Sequence, residues 1–173
     1  MNVIKKNLLL SIFAVFAAAC SSSNDPTPTP TTETKDGVIT SLTDVDYDPT
    51  SLKGDIKGNI SLPAAEYILD GALVVKDGFT LTIAAGATFK ARPGGTDVYL
   101  AVEQGAKMDA IGTATSPIVF TSGSGNPRSG DWGGILIIGK APISGGGTAT
   151  TEVVNFTFGG TDAADNSGTL SYV

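Results

Sequence analysis

Apolar and polar residues alternate in short runs along most of this chain, and the runs stop at glycines. In Ala72 to Ala91, Leu73 and Val75 form one alternating pair and Leu81 and Ile83 the next, followed by the corners Lys76-Asp77-Gly78 and Ala84-Ala85-Gly86. The pattern returns in Leu100 to Ser122. Leu100 and Val102 lead into Glu103-Gln104-Gly105, Met108 and Ala110 lead into Ile111-Gly112, and Ile118 to Thr121 reads as a further strand. It returns again where Ile135 and Ile137 precede Gly139. Alternation over a few residues, bounded by glycine, predicts short strands with one buried face. Long amphipathic helical patterns are missing.

Gly78 and Gly105 stand 27 residues apart, and the next step, to Gly139, is lengthened by the loop sequence SGSGNPRSG at Ser122 to Gly130. Self-similarity at a period of roughly 20–50 residues marks a solenoid, propeller or array. Units of two or three very short strands suit the coils of a parallel β-helix, because one coil cannot bury its own apolar face and must stack on the next. A propeller would want longer hairpins, and no two-residue Asn-Gly or Asp-Gly hairpin pattern dominates. A β-sandwich is the alternative all-β fold.

The first 20 residues, MNVIKKNLLLSIFAVFAAAC, read as a bacterial lipoprotein signal peptide. Lys5 and Lys6 supply the positive region, Leu8 to Phe16 the apolar core, and Ala17-Ala18-Ala19 the small residues before cleavage. The apolar run is shorter than the roughly 20 residues a spanning helix needs. Cys20, the single cysteine, stands where a lipid such as palmitate is attached. Ala17 occupies a position where lipoboxes usually carry a larger aliphatic residue, so an ordinary secretory signal is the alternative. The next segment, SSSNDPTPTPTTETKD, has the composition of an extended, semi-stiff tether. The expected organisation is a signal peptide over 1–19, a lipidated Cys20 and tether over 20–36, and a β-helix domain over 37–173. Ser21, in place of the Asp that often marks inner-membrane retention, points to the outer membrane. The sequence leaves open whether the domain faces the periplasm or the outside.

The stretches GNISLPAAEYILDGALVVKDGFTLTIAAGATFKA, YLAVEQGAKMDAIGTATSPIVFTS, GDWGGILIIGKAPI and NFTFGGTDAADNSGTLSYV resemble a large group of Bacteroidetes cell-envelope lipoproteins. Their most specific parts are Leu69-Asp70-Gly71-Ala72-Leu73, Leu100-Ala101-Val102-Glu103-Gln104-Gly105 and Gly130-Asp131-Trp132-Gly133-Gly134. The resemblance covers nearly all of the chain after Gly54. It implies a right-handed, single-stranded parallel β-helix of the pectin-lyase-like type, in a group mostly without an assigned activity. It also implies further rungs. Gly168 to Val173 reads as the start of another rung, so we expect few coils, an uncapped C-terminal end, and a fragmentary member or one completed by a partner.

The formal net charge is −6 at pH 7, and the loss of Lys5 and Lys6 with the leader makes the mature chain more acidic. That balance argues against nucleic acid as a partner and against docking on an anionic membrane surface. There is no histidine, which removes Ser–His and Cys–His catalysis, most zinc sites and imidazole acid–base chemistry. Beyond Cys20 there is no thiol for a disulfide.

Several clusters remain as candidates. Asp44, Asp46 and Asp48 place three carboxylates on one face of what reads as an extended segment, a possible calcium ligand set or simply a solvated acidic stretch. Asp162, Asp165 and Asn166 form a second possible cation loop, with Asx turns as the plainer reading. Trp132, beside Arg128 and Asp131, could stack on a sugar ring or cover the edge of the apolar column. Gly134 to Lys140 has most of a phosphate-loop spacing. However, Ala141 replaces the metal-binding hydroxyl, and the four aliphatic spacers favour strand. For polysaccharide cleavage, only Lys90 and Arg92 with Asp97 and Glu103 present themselves, and no acidic pair falls on adjacent coils. The expected function is therefore a non-enzymatic, outer-membrane-anchored surface for binding or adhesion to a glycan or a protein. It has the membrane as a partner through its lipid and no cofactor other than possible calcium. The alternative is part of a lyase or glycosidase whose catalytic rungs lie elsewhere.

Overall fold

A computed structural model describes residues 35–173. The signal peptide, Cys20 and nearly all of the tether lie outside the described residues. The strands are β1 (Val38–Ile39), β2 (Leu52–Ile56), β3 (Ile60–Leu62), β4 (Glu66–Val75), β5 (Thr80–Ile83), β6 (Thr88–Ala91) and β7 (Tyr99–Val102). They continue as β8 (Lys107–Ile111), β9 (Val119–Ser122), β10 (Ile135–Ile137), β11 (Ala149–Thr150), β12 (Thr157–Phe158) and β13 (Gly168–Ser171).

Among the described residues, the strand pairings other than β11–β12 are parallel and join each coil to the next, which makes a parallel β-helix. The first face stacks β1, the end of β2, the second half of β4, β7 and β10. The second stacks β3, β5, β8 and β13. The third stacks the first half of β4, β6 and β9. The expected opening of a further rung at Gly168 is β13, in register with Met108 to Ile111 of β8.

Alternation decides what lies inside. The strands β5, β6 and β8 bury every second residue, so Leu81, Ile83, Phe89, Ala91, Met108 and Ala110 point into the bore. Registered stacking turns these positions into columns. Ile60, Leu81 and Met108 form one. Tyr67, Phe89 and Phe120 form another, with stacked rings 4.9 and 4.5 Å apart. Those distances match the roughly 4.8 Å separation of neighbouring strands, so the rings repeat at the pitch of the backbone ladder.

The third corner is tight in the early coils and depends on glycine. Gly71, at φ +152, lets β4 run from the third face onto the first without a break. Gly54 does the same at φ +108 at the register shift in β2, where an added Cβ would overlap the carbonyl oxygen of Gly37. Gly54→Ala therefore combines backbone strain with a main-chain clash. It is expected to cost at least about 1–3 kcal/mol, readable as a lower urea midpoint for the full chain.

Two features depart from the sequence expectation. Asp44 to Asp48 is a series of turns, not an extended segment. Tyr47 donates its amide to the Asp44 carbonyl at 3.1 Å, and the Tyr47 side chain packs against the main core. The three carboxylates therefore do not share one strand face. The second departure is β7, buried at all four positions. Leu100 and Val102 face the bore, while Tyr99 and Ala101 join Val74 and Ile138 in a separate cluster with Val154, Phe156 and Phe158. An excursion between β10 and β13, carrying the β11–β12 hairpin, thus supplies apolar residues that cover the outside of the first face.

Candidate binding surface

Cross-rung ion pairs organise the outward side of the third face. Lys90 Nζ lies 2.6 Å from Glu66 Oε2. Arg92 Nε lies 3.0 Å from Asp70 Oδ1, and Lys53 Nζ 3.5 Å from Asp70 Oδ2. The Ser51 hydroxyl donates to Asp70 at 2.8 Å. Ser51's hydrogen bond, helped by the charges of Arg92 and Lys53, holds the Asp70 carboxyl below its ordinary range against the effect of burial.

Beside this ladder is a hollow of about 510 Å³ lined by Lys35, Asp46, Asp48, Ser51, Lys53 and Ala72, with the backbone of Gly37 and Gly54. The acidic candidates take part through turns. Asp46 Oδ2 accepts the amides of Asp36 and Gly37 at 3.0 and 3.2 Å. Asp48 Oδ1 accepts the Thr50 amide and hydroxyl at 2.8 and 2.7 Å, which lowers its pKa. Asp44 Oδ2 accepts the Thr40 hydroxyl and amide at 2.7 and 3.2 Å, and its pKa is lowered chiefly by that hydroxyl. Only Asp46 and Asp48 of the three reach the hollow.

The other acidic loop closes on itself and on the excursion. Asp162 Oδ1 accepts the Ala164 amide at 3.0 Å and Asn166 Oδ1 the Gly168 amide at 2.8 Å, both Asx-type contacts. Asp165 Oδ2 accepts the Lys140 amide at 2.7 Å and so ties the two ends of the excursion together. Among the described residues, no group of three or more His, Cys, Asp or Glu is gathered as for a metal ion.

At the first corner, Lys76 pairs with Glu103 and lies 3.9 Å from Asp55. Burial pulls the Lys76 ammonium down, but the Glu103 hydrogen bond and charge outweigh it and hold it above its ordinary value. Trp132 is half-buried against the main core and bridges Gly95, so it covers the apolar column. Asp131 accepts the Ser122 hydroxyl at 2.6 Å and the Arg128 amide at 3.0 Å and holds the preceding loop. The residues weighed for polysaccharide cleavage do not converge. Lys90 and Arg92 are paired on the third face, whereas Glu103 is paired at the first corner, with β7 between it and Asp97. Gly134 to Lys140 contains β10, as its aliphatic spacers favoured. Lys53, Lys35 and Gln104 had no local sequence signal.

The shifts set a pH window for stability. Burial, reinforced by Tyr47, raises the Tyr67 phenol from 10.0 to about 12. A phenol ionises more readily when unfolded, so its contribution is full below the ordinary value and is lost as pH rises toward the folded one. Lys76, also raised, loses its contribution as pH rises through its folded value. Asp70, depressed, contributes above its unfolded value and loses that contribution as pH falls through its folded value. Urea midpoints measured across pH are expected to be flat near neutrality, to fall on acidification below the carboxylate range, and to fall above the ordinary tyrosine value of 10.0.

A family model described as a pectate-lyase-like beta helix domain matches residues 54–173. A search of curated proteins and a search of solved structures each found no match. The matched segment runs from within β2 through β13, and the chain belongs to the pectate-lyase-like β-helix domain family.

Proposed function

We propose that the chain is an outer-membrane lipoprotein, held through Cys20, whose β-helix serves as a non-enzymatic surface for binding a glycan or a protein. The observation that carries this reading is the ladder Lys53–Asp70–Arg92 beside the 510 Å³ hollow. Backbone register brings these charges together from three coils, so the fold itself builds a continuous charged surface for a ligand. The signal sequence, Cys20 and the Pro/Thr-rich segment support the anchored location. The description of the family names a lyase, which keeps cleavage as the rival activity.

The test immobilises the full chain and offers a panel of envelope polysaccharides and proteins. Loss of one charge-assisted hydrogen bond is worth about 1.5–3 kcal/mol. Lys53→Ala and Asp48→Asn are therefore expected to weaken retention about tenfold or more. Retention unchanged in both variants would remove the hollow from the binding surface.

A further inference from the structure

A second hollow, of about 230 Å³, lies where the excursion meets the first corner, lined by Glu103, Gln104, Ile138, Asn155, Phe156 and Thr157. We propose that it is a subsite for one neutral sugar residue of a glycan. This rests on the binding function above and adds a position and a ligand chemistry to it.

The hydrogen-bond inventory of the walls sets the ligand. The Gln104 amide nitrogen donates to the carbonyl oxygens of Gly139 at 2.8 Å and Gly159 at 2.9 Å. Those two bonds use both of its N–H groups and leave the amide oxygen as an acceptor. Glu103 gives one carboxylate oxygen to Lys76, and the other retains its acceptor capacity. The wall therefore calls for a ligand rich in donors, which the hydroxyls of a sugar supply. Asn155 and Thr157 are exposed at the rim and can both donate and accept.

Charge and size narrow the choice further. The Glu103 carboxylate is matched by Lys76, so the site offers no uncompensated cation to an acidic sugar, and a second carboxylate would meet Glu103 as a like charge. Ile138 is 2 % exposed and forms an apolar floor. The Phe156 ring is half-buried, held edge-on to Tyr99 with centroids 6.2 Å apart at 78°. An aromatic ring beside converging hydroxyl partners suits the C–H face of a pyranose. The volume falls below the roughly 300–1,000 Å³ of drug-sized sites, which fits a single ring and not a longer segment.

The position is also pre-formed. Gln104 bonds both flanks of the excursion, at Gly139 and at Gly159, the latter 55 residues away in sequence, so the same side chain that shapes the hollow holds its opposite wall.

The experiment titrates the full chain with neutral hexose disaccharides and with the corresponding uronic acid disaccharides, followed by ligand-observed NMR. Wild type is compared with Asn155→Ala, at an exposed position, with Phe156→Leu, which keeps an apolar side chain in the cluster, and with Val119→Ala, exposed and outside both hollows. Neutral disaccharides are expected to bind, with about tenfold or greater weakening in Asn155→Ala and Phe156→Leu and no change in Val119→Ala. Neutral binding that is unchanged in Asn155→Ala and Phe156→Leu would overturn the subsite while leaving glycan binding intact. Binding of the uronic acids alone would overturn its neutral character. Retention of a protein ligand with no saccharide bound would overturn the subsite and leave the binding surface standing. Absence of any ligand on the wider panel would sink both.

Discussion

Phe89→Ala is expected to lower the unfolding free energy by about 3–5 kcal/mol, the usual cost of truncating a buried phenylalanine. Domains of this size have only about 5–15 kcal/mol in total, so the variant should sit near the edge of folding. Phe89 is 0 % exposed and is the middle ring of its column, 4.9 Å from Tyr67 and 4.5 Å from Phe120. Its removal breaks two stacked contacts, each worth about 0.5–1.5 kcal/mol beyond area burial. A helical stack has no alternative partner to close the gap, because each rung is fixed by its ladder to the rungs above and below. The control is Val119→Ala on the outward side of the neighbouring rung, at a residue 39 % exposed. Its effect should stay within about 0.5 kcal/mol. Urea denaturation of the two full-length variants reads the difference. Equal losses would contradict the assignment of inward and outward positions.

Cys20→Ala is expected to move the protein wholly from the membrane fraction to the soluble fraction of a Gram-negative host and to abolish incorporation of labelled palmitate. Each buried lipid CH₂ contributes about 0.8 kcal/mol, and stable anchoring takes two signals such as dual acylation. Removing the acceptor thiol removes every chain attached through it, so the effect is all-or-none. Processing at an ordinary secretory site, the alternative that Ala17 leaves open, would instead give a soluble wild type and no difference between the two proteins.

The bore of the helix was legible because one-sided burial writes period-two alternation directly into the sequence. The alternation alone points Leu73, Val75, Leu81 and Ile83 inward, and all four are buried. Where burial is two-sided the signal fails. Tyr99-Leu100-Ala101-Val102 alternates in direction but not in polarity, because the excursion covers Tyr99 and Ala101 from outside. Nothing local to β7 announces that cover, since Phe156 and Phe158 come from far along the chain. The Asp44 to Asp48 segment departs from its extended pattern for a different reason. Aspartate side chains compete for backbone amides, and the bonds to Thr40, Gly37 and Thr50 fold the stretch into turns. Trp132 packs against the apolar column, one of the two roles that its place before Gly133-Gly134 suggests. The hollows were not legible. Lys53, Asp70 and Arg92 meet only through register, and Gln104 reaches both flanks of the excursion across a separation that no local motif encodes.

The most direct test of a binding surface that leaves its ligand intact is to follow molar mass and retention on one sample. A polysaccharide held by the immobilised full chain is eluted after prolonged incubation and sized by light scattering, with reducing ends and unsaturated products assayed in parallel. The predicted result is retention with unchanged molar mass and no new ends. Falling mass, with new reducing ends or unsaturated sugars accumulating in proportion to protein, would contradict it and make the chain an enzyme.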